Sequence, residues 1–158
     1  MKEKVDELAR LSESLNRKSN QVNEIISTVN KKLLKLNIGI EVWLEDEYGN
    51  PRALETSESA VMTLEHTGES YVECREEILG YCRVDDEWQL AIRTDTVQSP
   101  EDSEAVRVEK SKRPLLKCSR SIRLKALQLL DDVLDEITQE IGVVLDDIDG
   151  AQAIADKL

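Results

Sequence analysis

The chain has 158 residues, of which 34% are charged and 40% hydrophobic, and its formal net charge is −12 at pH 7. This length is enough for one domain with a substantial core, and the composition is typical of a folded, soluble protein and excludes a disordered one. No apolar run approaches the roughly 18–20 residues of a membrane span, and the N-terminus lacks the apolar segment of a signal peptide. We therefore expect a cytoplasmic protein without a membrane partner.

The acidic excess is concentrated in the middle of the chain. Residues 1–37 carry 8 basic and 5 acidic side chains, residues 38–110 carry 6 and 19, and residues 111–158 carry 7 and 9. The net negative charge opposes nonspecific binding of nucleic acid by the molecule as a whole. The hydrophobic pattern changes at the same places, so we predict a single domain made of an N-terminal helix, an acidic β-sheet region and a C-terminal helix.

Residues 1–37 are predicted to form one long helix. From Val5 to Leu36, ten positions follow one another at alternating spacings of three and four residues. Eight of them are aliphatic and two are serines, and the segment contains no glycine or proline. This spacing is typical of the contact line of a coiled coil or a long helix pair. A single helix cannot bury such a stripe alone. We therefore expect helix pairing through Leu8, Leu15, Val22, Ile26, Val29 and Leu33.

The middle region is predicted to be an antiparallel sheet of about four to five strands. The strand segments are 38–45, 60–67, 70–78, the two arms of a hairpin around 85–87, and 105–110, with a turn at 48–51 and a loop at 97–104. In the first strand, Trp43 shares the polar face with Glu41 and Glu45. The favoured interpretation is that a helix covers Trp43, and the alternative is that it is exposed for binding a partner.

The sequence LGYCRVDDEWQL, residues 79–90, is predicted to be a β-hairpin and not a catalytic loop. With 85–87 as a three-residue loop, Val84 would face Trp88. One face of the hairpin would then carry Ile78, Cys82, Val84, Trp88, Leu90 and Ile92. Gly80 would leave room for the tryptophan ring.

Residues 111–158 are predicted to contain a second long helix, with Ser119 or Ser121 as its N-cap. The three–four spacing starts at Leu127, and pairing is expected through Leu130, Leu134, Ile137, Ile141, Val144 and Ile148. Gly150 is a candidate helix end, but the spacing continues across it, which favours a continuous helix. We expect an α+β fold in which this helix pairs with the first helix or with a second copy of the chain.

The order of helix, β region and helix is similar to the layout of prefoldin-type chaperone subunits, which are also acidic and oligomeric. The β region of this chain, residues 38–110, is larger than that layout requires. The resemblance covers the order of the elements and implies a chaperone-like role by analogy alone.

A basic cluster follows the acidic region. Fourteen residues without an acid contain Lys112, Arg113, Lys117, Arg120, Arg123 and Lys125. If the two helices are antiparallel, these bases meet Lys31, Lys32 and Lys35 where the helices join the sheet, and they form a basic collar. The favoured interpretation is charge balance against the acidic sheet, and the alternative is binding of an anionic partner. The cluster lacks interleaved aromatic residues, which disfavours base stacking.

The sequence contains no pattern that identifies a catalytic, cofactor-binding or metal site. Cys74, Cys82 and Cys118 are too few and too far apart for a disulfide framework or a thiolate zinc site. The adjacent carboxylates of 85–87 rarely converge on one cation. His66 is eight residues from Cys74 across a predicted turn, so a Cys/His pair remains a third, less favoured hypothesis.

The C-terminal helix also carries carboxylates at helical spacing, namely Asp132, Asp135, Glu136 and Glu140. Bundle proteins that bind two metal ions combine such faces with Glu-x-x-His motifs, and this sequence has none. We predict a solvated acidic stripe.

The function expected from these patterns is that of a non-enzymatic interaction module, which could be an adaptor, a chaperone-like protein or a regulatory subunit. It would form a homodimer through the helix stripes and present the acidic sheet to a protein partner. The alternative is a regulator that binds nucleic acid or another polyanion through the basic collar.

Overall fold

The computed structural model describes residues 1–64 and 66–157, without the side chains of Ser59 and Ala60. The elements are α1 (Lys2–Leu36), β1 (Val42–Trp43), β2 (Ala53–Thr63), β3 (Ser70–Val84), β4 (Glu87–Pro100), β5 (Val106–Pro114), a 3-10 helix (Leu115–Lys117), α2 (Arg120–Gln128) and α3 (Leu130–Ala155). The predicted fold class, α+β with a long helix on each side of an antiparallel sheet, is confirmed.

The first helix, α1, agrees with the prediction to within one residue at each end. It ends at Asn37, which adopts a left-handed conformation with φ 49° and donates its N–H to the carbonyl of Leu34. With about 1.5 Å per residue, its 35 residues extend over roughly 50 Å.

The sheet is antiparallel, and within the described residues it has five strands. The order is β1-β3-β4-β5, and β2 pairs with β3 on the same edge as β1. The predicted turn at 48–51 is confirmed, since the carboxylate of Asp46 accepts the N–H groups of Tyr48 and Asn50. The first predicted strand, 38–45, is reduced to the two residues of β1.

Several strands are longer than predicted. Pairing of Gln98 with Val106 and of Ala91 with Pro114 extends β4 and β5. The predicted loop at 97–104 is therefore confirmed only in its second half, because β4 continues to Pro100 and residues 101–105 connect it to β5. The predicted start of the helical region at 111 is wrong, because β5 continues to Pro114. The strand predicted at 60–67 corresponds to β2, which ends at Thr63; Glu65 lies outside the described residues.

The predicted hairpin of β3 and β4 is present, but its three-residue loop is wrong. Asp85 and Asp86 form a two-residue turn with φ 51° and 64°, so Val84 pairs with Glu87. Two left-handed residues give a type I′ turn, whose twist matches that of the flanking strands. The apolar set that faces the helices is therefore Leu79, Tyr81, Trp88, Leu90 and Ile92, and Ile78 and Cys82 lie on the opposite face.

The predicted C-terminal helix is divided into two helices. The side chain of Ser119 accepts the N–H of Ile122 and caps α2, as predicted for this candidate. Leu129, with φ −109° and ψ 11°, departs from helical geometry and separates α2 from α3. The longer helix, α3, then continues through Gly150 to Ala155, which confirms a continuous helix at this glycine.

The core lies between the helices and one face of the sheet. Helix α1 packs on β4, α2 and the 3-10 helix, and α3 packs on β1, β3 and α2. Fully buried side chains of this core include Ile26, Leu44, Leu79, Tyr81, Leu90, Ile92 and Val133. Both long helices therefore pack mainly on the sheet and on α2, and not on each other. We call this face of the sheet the covered face, and the face that carries Trp43, Ile78, Gly80, Cys82, Arg93 and Asp95 the open face.

Candidate functional site

Trp43 lies on the open face, directly over Gly80 of β3. A Cβ atom at Gly80 would collide with the Trp43 ring and with the carbonyl oxygen of Val42, so this close approach requires glycine. The prediction from the sequence was that Gly80 leaves room for the ring of Trp88, and this is wrong. That residue instead stacks on Tyr81 on the covered face, with ring centroids 5.6 Å apart.

Charged side chains cover the ring of Trp43. The guanidinium carbon of Arg93 lies 5.1 Å from the ring centroid, and Nζ of Lys112 lies 5.6 Å from it, both within the range of cation–π interactions. The carboxylate of Glu41 accepts hydrogen bonds from Trp43 Nε1 at 2.7 Å and from Lys112 Nζ at 2.6 Å. The prediction that a helix covers Trp43 is only partly met, because two cations from β4 and β5 lie over the ring, whereas Glu136 and Glu140 of α3 line the cleft beside it.

The groups around Trp43 shift one another's pKa. Burial alone would raise the pKa of Glu41, but hydrogen bonds from Lys112 and Trp43 outweigh it, and the pKa is lowered. The hydrogen bond to Glu41 raises the pKa of Lys112. Burial, together with the charge of Glu41, raises the pKa of the Cys82 thiol to about 11. At neutral pH the ion pair is therefore charged and the thiol is protonated.

A cleft of about 210 Å³ opens beside Trp43. Its lining includes Glu41, Trp43, Glu45, Arg93, Glu136 and Glu140. Burial raises the pKa of Glu136, and the nearby carboxylates of Glu45 and Asp132 raise it further. Asp132 itself accepts a hydrogen bond from Arg52 at 2.7 Å. The prediction of a uniformly solvated acidic stripe on α3 is thus wrong at Glu136, because β1 packs next to this part of the helix.

A second charged network on the open face surrounds Asp95. This side chain is 1% exposed, and its carboxylate accepts hydrogen bonds from Arg93 at 2.9 and 3.0 Å and from Arg107 at 3.0 Å. Arg107 also pairs with Glu76 at 2.7 Å. This network could not be predicted from the sequence, because its members come from three strands. The only local signal was the spacing of Arg93 and Asp95, which places both on one face of a strand.

The six bases from Lys112 to Lys125 are spread over β5, the 3-10 helix and α2, and four of them are ion-paired. The pairs are Lys112 with Glu41 and Glu109, Arg113 with Glu77, Lys117 with Asp85, and Lys125 with Glu55. Arg120 donates to Asn16 and Ser19 of α1, and Arg123 donates to the carbonyl of Leu116. These bonds connect the basic segment to the sheet and to α1.

The predicted contact between the basic segment and the lysines at the C-terminal end of α1 is only partly present. Leu116 lies in a groove with Lys31, which belongs to the predicted lysine group. Arg120, in contrast, contacts the middle of α1 at Asn16 and Ser19. A continuous collar is therefore not formed, because α1 lies across the sheet and contacts α2 well before its C-terminal end.

The predicted helix-pairing residues fall into two groups. Those that contact the core are Val22, Ile26, Val29, Leu33, Leu130, Leu134, Ile137 and Ile141, and Val144 is half-buried. The exposed group consists of Leu8, Leu15 and Ile148, with 66%, 48% and 57% of their surfaces exposed. We call residues 2–18, which precede the buried Ser19, the α1 arm, and residues 142–155 the α3 arm. These arms carry exposed apolar side chains at Val5, Leu8, Leu11, Leu15, Val143, Leu145, Ile148 and Ile154.

The hypothetical Cys/His pair is not assembled. Cys74 lies opposite Glu58 of β2 and Val97 of β4. His66 lies in the turn before Ser70, and the four residue-to-residue steps from Ser70 to Cys74 extend over roughly 13 Å of strand. Among the described residues, no group of three or more His, Cys, Asp and Glu side chains is placed to hold a metal ion. Helices long and apolar enough to cross a membrane are likewise absent from this part of the chain.

Comparison with known proteins finds no matching family model, curated protein or solved structure. The molecule can therefore be classified only by its architecture. It is an α+β protein whose sheet is covered on one face by helices and whose two longest helices end in exposed apolar arms.

Proposed function

We propose that this protein is a non-enzymatic interaction module that self-associates through its helical arms and presents the acidic sheet to a protein partner. The observation that carries the proposal is the exposure of an apolar stripe that is buried elsewhere on the same helix. In α1, Ile26 and Leu33 are buried, whereas Leu8 and Leu15, on the same side of the helix, are exposed. Burying one such side chain is worth about 1.5–3 kcal/mol, so the exposed part of the stripe favours binding of another helix.

The ionisable groups of the open face support an interaction role over a catalytic one. The charges around Trp43 and Asp95 are held in ion pairs. Burial raises the pKa of the Cys82 thiol on this face, as it does that of the Cys118 thiol in the core on the covered side, whereas a nucleophilic cysteine needs a lowered pKa.

The part of the sheet that extends beyond the helices offers a surface for a protein partner. Met62, Val106 and Val108 are exposed there on the side of the covered face, and Val61 and Val72 are exposed on the side of the open face, among the acidic residues of the region. Apolar side chains within a charged rim are typical of protein interaction surfaces. This surface and the arms lie on different elements, so partner binding and self-association are compatible.

The alternative, binding of a polyanion through the basic segment, has less support. Lys112, Arg113, Lys117 and Lys125 already hold carboxylates of the same chain. A phosphate would have to compete with these intramolecular partners, which weakens the electrostatic gain of binding.

Sedimentation equilibrium of the wild type and of a Leu8→Glu/Leu15→Glu variant tests the proposal. We expect a dimeric wild type and a monomeric variant, because a carboxylate cannot be buried between helices without a large cost. The monomeric variant should still unfold in one cooperative thermal transition, because both leucines are exposed in the isolated chain and their substitution leaves its core intact. A wild-type chain that stays monomeric at high concentration would refute the proposal.

A further inference from the structure

We propose that the two arms pair crosswise in a two-fold dimer, so that the α1 arm of one copy lies on the α3 arm of the other. This inference rests on the proposed self-association and specifies which surfaces meet. Within one chain, α1 and α3 pack mainly on the sheet and on α2. The helix that covers each arm is therefore taken to come from a second copy.

The exposed stripe of each arm continues a stripe that is buried nearer the sheet. In α3, Ile137 is buried, and Val144 follows it by seven residues; Ile141 packs against the core, and Ile148 follows it by seven. Residues seven apart lie on the same side of a helix. A partner helix laid on the arm would thus extend the existing core without a break.

The stripe of the α1 arm continues in the same way. Leu8 and Leu15 are connected to the buried Ser19 and the half-buried Val22 by alternating steps of four and three residues, which keeps all of them on one side of the helix. The arms also match in size. With 17 residues in the α1 arm and 14 in the α3 arm, they extend over roughly 25 and 21 Å.

Charge decides which arm the α3 arm can pair with. The α3 arm contains three acidic residues and no basic one, and the whole of α3 contains eight acidic residues and no basic one. Two α3 arms side by side would bring carboxylates together without counter-charges, which is unfavourable. The α1 arm contains five bases and four acids. It is therefore the arm of this chain that can supply counter-charges to α3.

Symmetry completes the argument. In a two-fold dimer the crossed contact occurs twice, so all four arms are covered by one additional copy. Pairing of the two α1 arms with each other would leave both α3 stripes in water. The crossed dimer thus buries the larger share of the exposed apolar surface.

Cysteine cross-linking distinguishes crossed pairing from pairing of like arms. The background variant is Cys74→Ser; Cys82 and Cys118 are buried, and their raised pKa values leave little reactive thiolate at neutral pH. Leu8→Cys, Ile148→Cys and the double variant are treated with a bismaleimide that spans about 10 Å, the distance between packed helix axes. Crossed pairing predicts covalent dimers from the double variant, in at least tenfold excess over either single variant.

Each other result overturns the inference. If a single variant gave as much covalent dimer as the double variant, like arms would pair with each other. That result would contradict crossed pairing and still support the proposed self-association. A dimer in which none of the three variants cross-links would place the interface elsewhere. A monomeric wild type would overturn the proposed function together with this inference.

A second measurement uses α3 alone. Ile148→Glu lies on the exposed stripe and should raise the dimer Kd by about 100-fold or more, because both copies carry the substitution and each buried aliphatic side chain contributes about tenfold or more to Kd. Val143→Glu is the matched control, because Val143 is similarly exposed at 52% but lies roughly 140° around the helix from Ile148, off the stripe. Equal effects of the two substitutions, or no effect of Ile148→Glu on a dimeric protein, would contradict crossed pairing.

Discussion

The two faces of the sheet exclude water from their central residues in different ways. On the covered face, Leu79, Tyr81, Leu90 and Ile92 are buried by helices. On the open face, Ile78 and Cys82 have no exposed surface, and they flank Gly80 beneath the group formed by Trp43, Arg93 and Lys112. One face is closed by a layer of secondary structure and the other by single side chains.

This difference shows how one face of a sheet can be protected from water without a second layer of helices. An aromatic ring and the aliphatic stems of arginine and lysine cover the strands, while the charged ends remain at the surface and pair with carboxylates. The covered face should therefore be sensitive to lost volume. The open face should be sensitive to lost charges, added atoms and pH.

The largest effect is expected from lost volume on the covered face. Ile92→Ala should lower the free energy of unfolding by about 2–5 kcal/mol, because it leaves a cavity in the core. Urea denaturation measures the change. Val108→Ala, on the same face but 40% exposed and beyond the helices, is the control and should stay within about 0.5–1 kcal/mol of the wild type. Equal losses would mean that the helices do not define the core.

The next effect is expected from the loss of a charge on the open face. Asp95→Ala should lower the free energy of unfolding by about 2–3 kcal/mol, because Arg93 and Arg107 lose the buried carboxylate that they share. Arg83→Ala removes a long surface pair of 3.8 Å and should have no measurable effect by the same denaturation assay. A tolerated Asp95→Ala would show that the network contributes little.

An added methyl group should come third. Gly80→Ala places a Cβ atom against the Trp43 ring and should cost about 1–3 kcal/mol through overpacking. Gly142→Ala has nothing within 4 Å of the new Cβ atom and should stabilise the helix by up to about 1 kcal/mol. Calorimetric melting of both variants should therefore give shifts of opposite sign, and shifts of the same sign would contradict the close packing at Gly80.

The smallest effect concerns pH. Because the pKa of Glu136 is raised in the folded chain, its ionisation removes stability as the pH rises from its unfolded pKa to its folded pKa. Glu136→Gln should therefore increase the free energy of unfolding at pH 7 by a few tenths of a kcal/mol, and give no gain below about pH 4. Asp147→Asn is the control, because Asp147 is exposed on the same helix and is not among the charges that raise the pKa of Glu136. A gain that does not depend on pH would contradict this account.

The sequence was sufficient for the elements whose patterns are local. The uninterrupted stripe from Val5 to Leu36 predicted α1 to within one residue, and Ser119 was a correct candidate N-cap because capping depends on neighbouring residues. The same stripe could not show where burial stops. Leu8 and Ile26 are equivalent in the sequence pattern, and only the position of the sheet and α2 makes one exposed and the other buried.

The errors arose where long-range pairing decides the structure. A loop of two residues instead of three at Asp85 and Asp86 moves Leu79 and Tyr81 to the covered face. Adjacent aspartates are a weaker signal for a type I′ turn than Asn-Gly, so the sequence did not specify the register. The surroundings of Trp43 were equally inaccessible, because Arg93 and Lys112 approach it from strands that are distant in the chain.

The positions of the two tryptophans give each face of the sheet its own optical reporter. Trp88 stacks on Tyr81 among the helices, and Trp43 lies between cations on the other side, and the chain has no other tryptophan. Fluorescence of a Trp43→Phe protein would follow one layer during denaturation, and that of a Trp88→Phe protein would follow the other. Tryptophan fluorescence can thus show which face of the sheet loses its covering first during denaturation, without an added dye.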